Sequence, residues 1–245
     1  MARNIDRKQL KNPDQFVSFW THVGAFLGKH RLAVLGGLGG LVVAAVGVWL
    51  VSSMMVRHAT EDSAAFARIE KVANADLLPP TGEAPKTDDG LPHFKTEDAR
   101  LEASLKEADS FLSQHGGSKL KEEALLLKAK FLLALGKNAD ALAIYQGQLG
   151  GVDGRLRFVA QEGLGYALEA NGQLDAAIAA FSALAEEGGA AGFYRDRALF
   201  NKARLLEKKG NGKEAEKVLN EIKEKIPNSP LMDEIKDRLA ALEGK

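Results

Sequence analysis

The chain has 245 residues, 33 of them basic and 33 acidic, so its formal net charge at neutral pH is zero, and it contains no cysteine. Thiolate nucleophiles, disulfides and cysteine-ligated zinc are thereby excluded. The even charge balance also lacks the basic face that nucleic-acid binding requires.

The residues through Lys11 are polar and charged with no apolar period, and read as a tail. Asn12-Pro13-Asp14 has the form of a helix start: a capping side chain, proline at the first helical position and an acid in the first turn. Phe16, Phe19, Trp20, Val23, Phe26 and Leu27 follow at spacings of three and four. This stripe predicts a short helix in the membrane interface, or an N-terminal extension of the next helix, ending at Lys29-His30-Arg31.

Leu32 to Val56 holds no charged residue, and it exceeds the roughly 20 apolar residues that an α-helix needs to cross a bilayer. The small-x-small triplet Ala65-Phe66-Ala67 lies well beyond this run, so an uncleaved membrane anchor is expected rather than a signal peptide. Six basic and two acidic residues precede the run, whereas charges of both signs follow it. The positive-inside bias therefore predicts a cytoplasmic N-terminus and, in a bacterium, a periplasmic C-terminal domain. Gly36, Gly40 and Ala44 fall four apart, with Gly47 on the same side, a spacing that would let another membrane helix approach closely.

After the span come 27 basic and 31 acidic residues. This part, about 190 residues, is long enough to bury a core of its own. Ala65, Phe66, Ile69, Val72 and Ala73 continue at helical spacing to about Ala75. Asp76 to Lys95 then carries Pro79, Pro80, Pro85 and Pro92 and reads as an exposed loop inserted between two paired helices, 59–75 and 97–115. Beyond it every segment has the helical period, with glycine-containing turns and no β-type alternation.

Three of these segments align: Leu127–Leu149, Gly163–Leu184 and Asn201–Ile222. Each has a small residue in a first helix (Ala129, Gly165, Ala203), an apolar residue three on (Leu132, Leu168, Leu206) and a turn glycine (Gly136, Gly172, Gly210). A second helix then supplies another small residue (Ala141, Ala177, Ala215) and a bulky one four later (Tyr145, Phe181, Leu219). The pattern, closed by Pro227, resembles the tetratricopeptide repeat, although it lacks the tryptophan-type residue at the first helix's start and has extra residues in Gly147–Gly154 and Gly188–Gly192. Leu231, Ile235, Leu239 and Leu242 would form a capping helix.

The expected fold is all-α: an N-terminal transmembrane helix followed by a tetratricopeptide-repeat α-solenoid. Its parts would be a cytoplasmic segment with an interfacial helix (1–31), the span (32–56) and a periplasmic repeat domain (57–245) with the proline-rich insertion (76–95). Short cytoplasmic segment, aromatic stripe, Lys-His-Arg, single span and repeat domain together resemble the ancillary Sec translocon subunit family (YfgM-like). That resemblance implies an inner-membrane protein that associates with the Sec translocon, a membrane-anchored periplasmic chaperone and translocating polypeptides. It implies no cofactor, small-molecule substrate or nucleic acid.

The five histidines are scattered, and no HExxH, GxSxG or phosphate-loop signature occurs, so a non-catalytic role is expected. The alternatives are a tether for another envelope machine, in cell division or outer-membrane assembly, and an enzyme with an unrecognised site. Carrying over the inward-facing repeat positions gives Glu123, Leu126 and Lys130 from the first unit. The second gives Glu162, Tyr166 and Glu169, and the third Arg197, Phe200 and Arg204. Mixed charge with two aromatics would suit an extended or partly apolar polypeptide, unless these residues contact one another instead.

Overall fold

A computed structural model describes residues 15–78, 92–187 and 194–243, with every side chain among them except those of residues 15, 34, 37–39 and 41–42. The tail, the Asn12-Pro13-Asp14 helix start, most of the proline-rich segment and Gly188–Gly192 lie outside the described residues. Ten helices are present among those described, and the chain divides into two compact units, Met1–Ala59 and Thr60–Lys245.

In the first unit α1 (Gln15–Lys29) is followed, after His30 alone, by α2, which runs for 43 residues from Arg31 to Ala73. The sequence suggests an end to the span at Val56, yet the helix passes Arg57-His58 without a break. No glycine or proline occurs between Gly47 and Pro79, and charged side chains on an exposed helix do not interrupt its backbone bonds. From Val43 onward α2 is long and apolar enough to cross a membrane, and none of its most apolar window is buried against protein. Gly36, Gly40 and Gly47 would meet nothing within 4 Å if given a Cβ, so that side of the helix is open.

The second unit begins with the last turns of α2, whose Ala65 and Ile69 are buried against Ala108 and Phe111 of α3 (Glu97–Gln114) and against Ala124 and Phe131 of α4 (Lys121–Ala134). Phe66 meets the Phe111 ring edge-on at 5.8 Å, and His115 Nδ1 lies 2.7 Å from Asp62 Oδ1. Thr96 caps α3, accepting a hydrogen bond from the Ala99 N–H at 3.2 Å. The two ends of the proline-rich segment meet, since the Leu78 N–H donates to the Phe94 carbonyl at 2.7 Å.

Three helix pairs follow: α4 with α5 (Asn138–Gln148), α6 (Gly154–Ala170) with α7 (Leu174–Glu187), and α8 (Arg195–Lys208) with α9 (Gly212–Lys225). The final helix, α10 (Met232–Glu243), packs on α9 and buries Ile235 and Leu239. The three turn glycines have one conformation, with φ of 71° at Gly136, 76° at Gly172 and 83° at Gly210. Just beyond each, a backbone N–H reaches back five residues at 2.9 Å: Lys137 to Leu132, Gln173 to Leu168 and Asn211 to Leu206. This left-handed C-terminal cap satisfies carbonyls that the helix end would leave unpaired.

Small residues bring the helices of a pair together. Ala129, Ala141, Ala177, Ala203 and Ala215 are fully buried. At Gly165 even a Cβ would fall 2.5 Å from Cζ of Phe181, whose ring is enclosed by α6, α7 and α8. The tetratricopeptide register read from the sequence therefore places its small residues at helix–helix contacts.

Candidate protein-binding groove

First helices of successive pairs are neighbours, α4 lying beside α6 as well as beside α5. Between them runs a groove of about 600 Å³, bordered by Phe66 and Glu70 of α2, by α4, by α6 and by Tyr194 and Arg197 at the start of α8. The sequence-derived residues Glu123, Lys130, Glu162, Tyr166 and Arg197 line it; Glu169, Phe200 and Arg204 do not.

These charged residues are largely engaged with one another. Arg197 grips Glu162 through both carboxylate oxygens, at 2.6 Å from Nε and 2.7 Å from Nη2. Arg204 does the same to Glu169, with Nη1 at 2.7 Å, and Lys208 adds a third contact at 3.2 Å. Farther along, Arg238 of α10 reaches Glu207 at 3.2 Å. The first two pairs join one first helix to the next and the third joins α8 to the final helix, so charges that the sequence offered to a partner instead cross-link the stack. Surface pairs of this kind contribute little net stability, and their value lies in leaving no half-buried carboxylate unmatched.

The environments of the two carboxylates differ. Burial pushes Glu162 above the usual carboxylate range, an effect that Arg197 and a hydrogen bond from Tyr166 partly offset. Hydrogen bonds from Arg204 outweigh burial at Glu169 and hold it below that range. Tyr166 is half-buried, with its hydroxyl accepting from Asn201 Nδ2 at 3.0 Å and its ring meeting Phe181 edge-on. Burial, and then the Glu162 carboxylate, push the Tyr145 phenol up to about 12.

Phe200 corrects the sequence-based assignment. It is only 7% exposed, enclosed by the α7–α10 core, and the Arg238 guanidinium lies 5.1 Å from its ring centre. The α10 helix covers the third unit's first helix, so this ring cannot meet a partner. Leu126 is also buried and forms floor rather than surface.

Several residues that shape the groove escaped the sequence reading. Val159 stands six residues before Gly165, as Glu123 stands before Ala129 and Arg197 before Ala203. Aligning the units strictly on their small residues would have selected it in place of Glu169. Its side chain is 41% exposed, and among the described residues of the second unit only Leu77 is a comparably exposed large hydrophobic. Phe158 stacks on Tyr194 with ring centres 3.5 Å apart, and Arg197 lies 5.2 Å from the Tyr194 ring centre. That arrangement joins residues 36 apart and had no short-range signal. Among the described residues no group of three or more His, Asp or Glu side chains is placed to hold a metal ion.

Residues 163–230 match the tetratricopeptide repeat family. No curated protein sequence matches the chain at a significant level. Among solved structures, the nearly identical TPR-like repeats of a Podosopora anserina protein named for the kinesin light chain align with a TM-score of 0.51 at 16% identity, covering 60% of this chain and 79% of that one. A single-substitution variant of the same protein aligns with the same score and identity, over 78% of its length. A tetratricopeptide repeat protein from Parabacteroides merdae gives a TM-score of 0.48 at 18% identity, over 60% of this chain and 56% of that one. The likeness at 0.51 is one of fold: stacked helical repeats of the tetratricopeptide type. Such repeats are protein–protein interaction modules, built to present an extended surface to another chain.

Proposed function

We propose that the chain is an inner-membrane-anchored periplasmic interaction module, an ancillary subunit that links the Sec translocon to a membrane-anchored periplasmic chaperone and meets translocating polypeptides. The uncharged run in α2 and the excess of basic residues before it support the anchor and its orientation. The resemblance in segment order to the ancillary translocon subunits supports the choice of partner. Within the membrane, the open Gly36, Gly40, Ala44 and Gly47 side of α2 suits close packing against a partner helix.

The observation that carries the binding role is the exposure of Val159 in the groove between α4 and α6. Along α8 and α10 the first-helix surface is occupied by its own ion pairs and by Arg238 over Phe200. Between α4 and α6 the Arg155–Glu123 ion pair at 3.3 Å crosses the groove, and beside it stand Val159, Leu133, Leu156 and the Phe158 ring, the last stacked on Tyr194. A polypeptide that places apolar side chains there gains burial without breaking an ion pair.

The test is a photo-reactive residue at position 159 in the full chain, followed by mild-detergent purification and identification of the products. Adducts with translocon or chaperone subunits are expected, and the separate Val159→Asp chain, with no photo-reactive residue, should lose the same partners on co-purification while keeping the wild-type melting curve. Undiminished recovery of the same partners by Val159→Asp would exclude the groove as the binding surface.

A further inference from the structure

We propose that α1 is a wedge in one leaflet of the bilayer: an in-plane helix whose aromatic face enters the headgroup layer and responds to how tightly the lipids pack rather than to their charge. The proposal rests on reading α2 as the membrane span.

With 3.6 residues per turn, Phe16, Phe19, Trp20, Val23, Phe26 and Leu27 fall within an arc of roughly 120°. Five of the six are exposed, Val23 being partly covered. The rings of Phe16 and Phe19 both meet Trp20 edge-on, at 6.2 and 5.6 Å, so they present one bulky surface. The opposite side carries Ser18, Thr21, His22, Gly24, Ala25, Gly28 and Lys29, with Val17 as its one large apolar side chain. No carboxylate occurs in the fifteen residues, and Lys29 in the last turn is the single full charge. Thr21 Oγ1 donates to the Ser18 carbonyl at 2.8 Å, and His22 Nδ1 lies 2.7 Å from the same oxygen. These polar groups are satisfied within the helix and do not depend on lipid phosphate.

Only His30 separates α1 from α2, and the apolar run begins at Leu32. The end of α1 is therefore at the hydrocarbon boundary. Continued straight on, the helix would carry its aromatics from about 9 Å (Phe26) to about 24 Å (Phe16) beyond Leu32, at 1.5 Å per residue. Lying in the plane, it covers all of them, and the break at His30 gives the chain a place to turn.

The span also removes the need for recruitment. A free amphipathic helix uses basic residues to find an anionic surface, whereas α1 is already held there. What then differs between bilayers is the work of opening the headgroup layer to admit large rings. That work falls when acyl chains are unsaturated or the surface is strongly curved.

The chain has two tryptophans, Trp20 in α1 and Trp49 in α2, and each can be made the sole reporter. Trp49→Phe and Trp20→Phe chains would be placed in proteoliposomes containing lipids brominated near the ester linkage or near the bilayer centre, with iodide as the aqueous quencher. Trp20 should be quenched most by the shallow bromines and Trp49 by the deep ones. Smaller or more unsaturated vesicles should lower iodide access to Trp20 on the order of twofold, and added anionic lipid should leave it unchanged. Phe19→Ser with Phe26→Ser should return Trp20 to the water. Free iodide access to Trp20 in every vesicle, or deep-bromine quenching of it, would overturn the in-plane placement. A response to anionic lipid in place of packing would overturn the wedge. Iodide access to Trp49 in the Trp20→Phe chain would sink the span reading itself, and the separate reporter tells that failure apart.

Discussion

The ring of Tyr145 on α5 lies directly against the bare backbone of Gly163 on α6. A Cβ at position 163 would fall 2.8 Å from Cδ1 and closer still to Cε1 and Cζ. The contact joins the second helix of one repeat to the first helix of the next, and Tyr145 is almost wholly buried there. Gly163→Ala is therefore expected to destabilise. Overpacking costs about 1–3 kcal/mol, offset by the 0.8–1.0 kcal/mol that alanine gains over glycine in a helix. The net loss should be about 1 kcal/mol, a fall of about 2–4 °C in the melting temperature of a domain this size. Tyr145→Leu in the same chain should recover part of it. An unchanged Gly163→Ala melting curve would show that the two helices are not in this contact.

The turn after α6 provides a second test of the repeat register. Gly172 has φ of 76°, where a side chain meets its own backbone. Gly172→Ala should cost about 1–2 kcal/mol and Gly172→Asn distinctly less, because asparagine tolerates the left-handed region. Equal melting temperatures for all three would contradict the cap.

Glu169 makes stability depend on acid. Its carboxyl is held low, chiefly by hydrogen bonds from Arg204, so the contribution is present above the unfolded value and lost as pH falls through the folded one. Glu169→Gln should cost about 0.5–1 kcal/mol at neutral pH. Below pH ~4 the wild type should converge on the variant. Glu162 has the opposite sign: burial raises it, so its contribution is present in acid and lost as pH rises. Glu162→Gln should therefore cost less than Glu169→Gln at neutral pH. Denaturation of the full chain in detergent at several pH values measures both differences, and a larger cost at Glu162 would reverse the assignment.

Topology is the fourth prediction. Protease added to spheroplasts should digest the repeat domain and leave α1 and the span protected. A shielded C-terminal tag would refute the orientation.

Helix content, the apolar run and the turn glycines were legible in the sequence because each depends on a local rule: periodicity, an unbroken absence of charge, a residue able to adopt positive φ. The small-residue register was legible because three copies repeat it, and residues 129, 165 and 203 stand where a larger side chain has no space. The course of α2 past Arg57 could also be read once the absence of glycine and proline is weighed above the charges.

The candidate site divides differently. Sequence placed Glu162, Tyr166 and Arg197 at one surface, and they do line one groove. Whether those charges face a partner or each other depends on distances between helices that lie 35 residues apart in the chain. Only the packed structure sets those distances, joining Arg197 to Glu162 and Arg204 to Glu169. It also decides that α10 covers Phe200, while Val159, six residues before a glycine with no neighbour to shield it, stays open to solvent. Burial is a property of what lies across a surface, and a residue's own neighbours in sequence do not determine it.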